Sequence, residues 1–239
     1  MRSSTLDAHA DRSLTVTPTT RLKRIPEKAA YDRRVVDAIL DEALVCHLGI
    51  VADRQPFVVP TLHARVGDTV YVHGSAASRT LRHLSAGAPV ALTVTLVDGL
   101  VLARSAFESS INYRSVMLFG TASLVREPAE KLRALEAFTE QVVPGRWADV
   151  RPPTDKEVKA TSILSIPIVE GSAKVSTGPP DDPESDLSYP TWAGVIPLLT
   201  STGEPVPDPR LPSGIPVPDY LRTYDPSARA IKETPEAGR

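Results

Sequence analysis

Residues 58–84, VVPTLHARVGDTVYVHGSAASRTLRHL, constrain the fold more than any other stretch. Residues 58–66 are β-rich, Gly67-Asp68 interrupts them, and residues 69–73 form a second β-rich run. Two such runs across a two-residue glycine turn predict a hairpin. The loop Gly74-Ser75-Ala76-Ala77-Ser78 follows and opens a short basic helix with Arg79, Arg82 and His83. A helix start leaves backbone N–H groups unpaired and carries partial positive charge. Ser75 and Ser78 add hydroxyls, and Arg79 adds a planar fork suited to phosphate. The segment is therefore a candidate anion site. The alternative is a surface helix capped by Ser78, with its arginines in water.

The rest of the chain repeats the short-strand pattern. Residues 31–42 predict a helix capped by Asp32, with Val35, Val36, Ile39 and Leu40 in one apolar stripe. Residues 44–52 predict a strand, Asp53-Arg54-Gln55 a turn, and residues 56–65 the return strand. Pro60 inside that return predicts an edge or a bulge. Leu44, Cys46 and Leu48 share one face by period two, the face expected to line a core. Residues 90–97 alternate, Asp98-Gly99 predicts a turn, and residues 100–103 are expected to pair back. Residues 114–125 predict a long strand, and residues 161–175 a last strand bent at Pro167. Glu127-Pro128 opens a helix whose expected apolar face is Leu132, Leu135, Phe138 and Val142. About seven strands joined mostly by turns predict a mainly β chain closed into an antiparallel barrel, with peripheral helices.

Composition excludes several function classes. The chain has 239 residues, 41% of them hydrophobic, and a net charge of −2. That balance favours neither nucleic acid nor an acidic membrane surface. No apolar run is long enough for a bilayer span, and no apolar leader starts the chain. The single cysteine, Cys46, excludes an intrachain disulfide and fits a cytoplasmic location. Residues 1–20 are polar and aperiodic, so a disordered arm is expected there; His9 lies in it and receives no role. Residues 21–198 form the expected domain, and residues 199–239 an extended Pro-rich tail. Thirteen of the 23 prolines fall within residues 176–239, which predicts no regular helix or sheet there. Apolar patches at Ile215, Val217, Tyr220 and Leu221 suit an arm wrapped over a partner subunit.

The common catalytic signatures are missing: no G-x-S-x-G, no P-loop, no G-x-G-x-x-G. No carboxylate pair is placed for acid–base work, so catalytic residues are unassigned. His47, His63, His73 and His83 fall in consecutive elements, but their spacing fits no zinc motif and no metal site is expected.

The order of motifs resembles the pyridoxamine 5′-phosphate oxidase-like flavoproteins, in the flavin-nucleotide-binding subgroup near the nitroimidazole-resistance proteins. The resemblance runs from about residue 31 to residue 198. It is carried by the first helix and by HLGIVADRQPFVVPTLHAR, VYVHGSAASRTLRHL, NYRSVMLFGTASLV, AKVSTGPPDD and TWAGVIPL. It implies a split β-barrel of the FMN-binding type, a homodimer, and FMN at the subunit interface. Ser75, Ser78, Arg79 and Thr80 resemble the phosphate ligands. Val59, Pro60, Thr61, Leu62 and His63 resemble the strand that passes the flavin ring and reads its polar edge with backbone groups. His73 corresponds to a flanking position. Arg114 and Ser115 resemble residues reaching the flavin from the facing subunit. Trp192 resembles an aromatic covering the ring, and Lys174 belongs to a recurrent motif of the subgroup.

Two departures matter. The vitamin B6 oxidases carry lysine where this chain has Thr80, and their C-terminal Arg/His motif has no counterpart here. The expected activity is therefore FMN-dependent oxidoreduction of a small molecule, with pyridoxamine phosphate itself not implied. The alternative is a non-catalytic flavin or haem protein. Some split barrels hold haem, and Cys46-His47 is then a conceivable ligand pair, against Cys46 as a packed core residue.

Overall fold

In the computed structural model, which describes residues 13–226, Asp32 accepts a hydrogen bond from the Arg34 N–H at 2.8 Å and starts the first helix. The elements run β1 (Ala29–Ala30), α1 (Arg33–Glu42), β2 (Val45–Ala52), β3 (Gln55–Val66), β4 (Thr69–Ser75), α2 (Arg79–Ser85), β5 (Pro89–Leu102), β6 (Ser110–Thr121) and β7 (Ser123–Leu124). They continue with α3 (Pro128–Val142), α4 (Asp155–Ala160), β8 (Thr161–Pro167), β9 (Glu170–Ser176), β10 (Gly194–Pro197) and α5 (Asp219–Arg222). Most of the expected N-terminal arm, with His9, and the end of the tail lie outside the described residues.

The strands form one antiparallel sheet in the order β1-β9-β6-β5-β2-β3-β4-β8-β7, with β10 added to the end of β5. This is the mainly β split barrel expected. Alternation sets its inside and outside. Cys46, Leu48 and Ile50 of β2 point into the core with Leu92 and Val94 of β5, Val116 and Leu118 of β6, and Ala173 of β9. Val45, His47 and Val51 point outward. Helix α1 packs on this core with Val36, Ile39 and Leu40, all buried. Leu14 is also buried in this core, and its N–H donates to the Tyr31 carbonyl at 2.7 Å.

Two hairpin turns follow local chemistry. Asp53 and Arg54 both have positive φ, 52° and 64°, the pattern of a type I′ turn that suits the strand twist. At Gly67-Asp68 only the glycine has positive φ, 58°, as in turns that want glycine first.

Several expected boundaries moved, each for a non-local reason. Asp98-Gly99 makes no turn: β5 runs through it with a bulge against β6. Gly99 is needed because β10 lies on it; a Cβ there would stand 3.0 Å from Val195 Cγ1 and 3.2 Å from the Ile196 carbonyl oxygen. Residues 100–102 pair with β6 and β10, not back on residues 90–97. The single strand expected over 161–175 is two strands, because Pro167 ends β8 on β4 and β9 restarts beside β6. The strand expected over 114–125 begins at Ser110 and breaks at Ala122. On α3, Ala134 and Phe138 are buried while Leu132 and Val142 are exposed, so the buried stripe is narrower than expected. Leu44 lies before β2 and is exposed. The Pro-rich segment holds β10 and the short α5, where no regular element was expected. Its later part folds back on the end of α3 and the turn after it: Tyr220 Oη donates to Asp149 at 2.7 Å, and Tyr224 Oη donates to the Val142 carbonyl at 3.3 Å.

Candidate functional site

The barrel is split at β3. Its first part, residues 55–62, pairs with β2, and residues 63–66 pair with β4. Over residues 55–62 the strand therefore has one open edge. Pro60 explains which groups face it. The ladder pairs Pro60 with His47, and a proline nitrogen has no hydrogen to donate, so this must be a non-hydrogen-bonded pair. The backbone groups of Val59 and Thr61 consequently face β2. Those of Pro60 and Leu62 face the split.

Across the split stand the end of β4, the Ser75–Ser78 loop and α2. The Ser78 N–H donates to the Ser75 carbonyl at 2.9 Å, and the Ala77 N–H donates to Ser75 Oγ at 3.2 Å. Ser78 Oγ accepts from the Leu81 N–H at 3.4 Å and caps α2. Leu81 packs so close to Gly74 that a Cβ there would lie 2.9 Å from Leu81 Cδ1. Thr80 is half-buried on α2. Because α2 has only seven residues, its dipole adds little, and the charge of the site rests on Arg79. The Arg79 guanidinium lies 4.8 Å from the centre of the Phe57 ring and makes no ion pair among the described residues. Phe57 also lines an apolar cleft of about 700 Å³ with Gly49, Val58, Ala91 and Phe119. Sequence reasoning missed this cleft, although the alternation of residues 45–52 and 90–97 already set its walls.

Other expected site residues lie elsewhere. His63 does not reach the split: it is fully buried, and its Nε2 sits 2.9 Å from the Leu40 carbonyl at the end of α1. His73 faces α3, with its ring 4.3 Å from that of Phe138. Ser115 and Lys174 are neighbours on β6 and β9, with Ser115 Oγ donating to the Lys174 carbonyl at 3.4 Å and Lys174 Nζ 5.8 Å from the Tyr113 ring. Strands β2 and β5 separate them from the split in their own chain. Trp192 is exposed and lies back on Gly194, covering nothing at the split. Arg114 is on the same face of β6 as Val116 and Leu118, turned away from the outer surface. Its guanidinium donates to both oxygens of Asp98, at 2.9 and 2.7 Å, and to both oxygens of Glu42, one of them at 2.8 Å. These bonds, Asp98 first, raise its pKa further above the usual arginine value. Arg114 is a cross-tie between β6, β5 and α1, and four of its five N–H donors are taken within its own chain.

Burial lowers the pKa of both His63 and His73 below the ordinary 6.5. The folded chain therefore holds them neutral where an unfolded chain would protonate them. Their contribution is fully present above pH 6.5 and is lost as pH falls through the folded-state pKa values. The urea midpoint should accordingly drop on acidification from pH 7 to 5. His63→Gln should show a shallower drop; an identical slope would remove His63 as a cause. Cys46 is also buried, which pushes its thiol up to about 12 and keeps it protonated. No cluster of three or more His, Cys, Asp or Glu suited to a metal ion occurs among the described residues. No described helix is long and apolar enough to cross a membrane.

Known proteins share this outline. A family model described as pyridoxamine 5′-phosphate oxidase matches residues 32–175. The flavocytochrome Anf3 from Azotobacter vinelandii is 43% identical, with a TM-score of 0.82 over 87% of this chain and 97% of that one. An FAD and heme binding protein from Mycobacterium smegmatis is 41% identical, with a TM-score of 0.78 over 82% and 96%. A candidate 5-nitroimidazole antibiotic resistance protein from Bacteroides thetaiotaomicron, 22% identical with a TM-score of 0.53 over 62% and 86%, shares the fold. No curated protein sequence matches the chain. The match over residues 32–175, more than half of the chain, together with the two relatives above 40% identity, shows that the chain belongs to the pyridoxamine 5′-phosphate oxidase family.

Proposed function

We propose that this chain is a flavin-binding redox protein, that it also binds haem, and that it works as a homodimer. One observation carries the flavin reading: the open edge of β3 at Pro60 and Leu62 faces a loop that presents Ser75, Ser78 and Arg79, an arginine without an ion pair among the described residues. Arg79 would hold a phosphate, and the β3 edge would hydrogen-bond the polar rim of the ring. Ser75 and Ser78 would lend their hydroxyl protons. The phosphate next to the ribityl chain is common to FMN and FAD, so Arg79 serves either. The FMN expected from the sequence and the FAD named for the M. smegmatis relative are separated by the mass of the released cofactor. Flavin supplies one- and two-electron transfer, and haem supplies one-electron transfer at iron. The chain's own part is to position these groups, which agrees with the missing acid–base constellation.

An absorption spectrum of the purified protein, with mass analysis of what it releases, tests this reading. Flavin bands and a Soret band are expected; a colourless protein that takes up neither cofactor would refute it. Turnover with reduced nicotinamide and an artificial acceptor separates an oxidoreductase from a carrier.

The homodimer is supported by the outer face of the sheet. Val45, Val51, Val58 and Met117 are 43–69% exposed there, a concentration of apolar surface that a lone chain rarely shows. Ser115 and Lys174 lie on this same face and could meet a second subunit. Sedimentation at micromolar concentration should give twice the 25.7 kDa chain mass. A flavin-loaded monomer would exclude the shared interface.

A further inference from the structure

His63 stands where β3 changes partner. Leu62 is the last residue of the strand paired with β2, opposite Val45, and His63 is the first paired with β4, opposite Val72. Continued in the same register, the β3–β4 ladder would set Leu62 opposite His73 and Pro60 opposite Ser75. Strand β4 reaches far enough for that, since His73, Gly74 and Ser75 pair with β8 on their other side. A longer ladder would close the split and take up the backbone groups of Leu62. Pro60 lacks a donor, but it lies two residues beyond Leu62 and does not by itself hold the strands apart there. A group at the junction has to fix the point where they part.

The imidazole of His63 is that group. It is fully buried, and its Nε2 lies 2.9 Å from the Leu40 carbonyl near the end of α1. A carbonyl oxygen only accepts, so Nε2 carries the proton and Nδ1 is the bare nitrogen. Nδ1 is buried and makes no hydrogen bond. Burying an unpaired ring nitrogen is unfavourable, and a leucine at this position would avoid it. What the imidazole adds is the directional bond to Leu40. The helix end that accepts this bond is held from other sides. Gln141 of α3 donates through Nε2 to the Asp41 and Ala43 carbonyls, each at 2.9 Å, and Arg114 of β6 donates to Glu42 at 2.8 Å. The β3 junction is thus tied to a point that α3 and β6 already fix.

We infer that His63 is a positioning residue for the flavin. By tying β3 to α1 at the junction, it stops the β3–β4 ladder at His63 and leaves the edge at Pro60 and Leu62 free to read the ring. This rests on the flavin reading proposed above. His63 touches no flavin atom in this role; it acts through the backbone of its neighbour Leu62. It also differs from Arg79 in what it controls. Arg79 sets the preference for a phosphate-bearing flavin, whereas His63 acts on the ring that FMN and riboflavin share.

The test compares His63→Gln, His63→Asn and His63→Leu with the wild type in the full-length protein. FMN and riboflavin affinity, the visible spectrum of the bound flavin and the urea midpoint of the ligand-free protein are read for each. A glutamine amide nitrogen reaches as far as Nε2, and an asparagine nitrogen only as far as Nδ1. His63→Gln should therefore keep the wild-type affinity and band. His63→Asn and His63→Leu should weaken FMN and riboflavin by the same factor, about tenfold for the loss of one or two hydrogen bonds to the ring, with a shifted band. Their FMN-to-riboflavin ratio should stay that of the wild type. Leucine fills the space without a polar atom, so His63→Leu should lose the flavin signature without a matching fall in urea midpoint. Unchanged affinity and band in folded His63→Leu or His63→Asn would overturn the assignment. So would an altered ratio, or a His63→Gln no better than His63→Asn. Failure of both His63→Leu and His63→Asn to fold would make the histidine a stability tie alone and remove the positioning role. A wild type that binds neither flavin would overturn the flavin reading, and the assignment with it.

Discussion

Arg79→Ala should weaken FMN binding by about tenfold to a hundredfold and leave riboflavin binding nearly unchanged. The guanidinium follows the Ser75–Ser78 loop in the chain, has no carboxylate partner among the described residues, and rests on Phe57. A charge-assisted hydrogen bond to phosphate is worth roughly 1.5–3 kcal/mol, which converts to that range in affinity. The cation–π attraction to Phe57, which the alanine also removes, is worth only about 0.5–1 kcal/mol at an exposed site, so stability should change little. Flavin fluorescence quenching for both ligands, with wild type and variant side by side, makes the comparison. If both ligands weaken equally, Arg79 holds the loop and not the phosphate. Arg79→Lys should recover part of the loss, since a point charge remains but the fork does not.

Arg114→Ala should cost about 2–3 kcal/mol of stability, less than the 3–5 kcal/mol that breaking a fully buried ion pair costs. One guanidinium bridges Glu42 at the end of α1 and Asp98 in the bulge of β5. Its removal leaves two carboxylates facing each other, each partly desolvated. The arginine side chain is 17% exposed and Asp98 is 30% exposed, so solvent screens part of the full penalty. Urea unfolding should show a lower midpoint with an unchanged slope. A loss below about 0.5 kcal/mol would class these pairs with ordinary surface ion pairs. Flavin affinity separates the two possible roles of this residue: a cross-tie predicts a retained site in the folded variant, and a flavin ligand does not.

How much could be read from the sequence depended on range. The Gly67-Asp68 hairpin, the α1 stripe and the inward face of Cys46 are set by neighbours within a few residues, and each stands as expected. Gly99 shows the limit. Asp-Gly after an alternating run is a fair turn signal, yet this glycine makes room for β10, nearly a hundred residues later. His63 and Arg114 show the same limit at the site. Both were matched to positions by motif, but their directions are set by α1, through Leu40 and Glu42. Pro60 was legible in kind, as an edge residue. Only the pairing of β3 with two partners in succession showed that its edge is open over residues 55–62, with Arg79 over Phe57.

Pro60 also bears on how the chain avoids polymerising. An unpaired strand edge is a template for a strand of another molecule, and natural sheets guard such edges. An invading strand needs an unbroken run of donors and acceptors. Pro60 deletes one donor from the middle of the exposed run, so a fibril-like ladder would meet a gap there. A small heterocycle has a few polar atoms at fixed points and can bridge that gap. The same imino acid thus makes the edge a poor seed for aggregation while leaving it able to receive a ring.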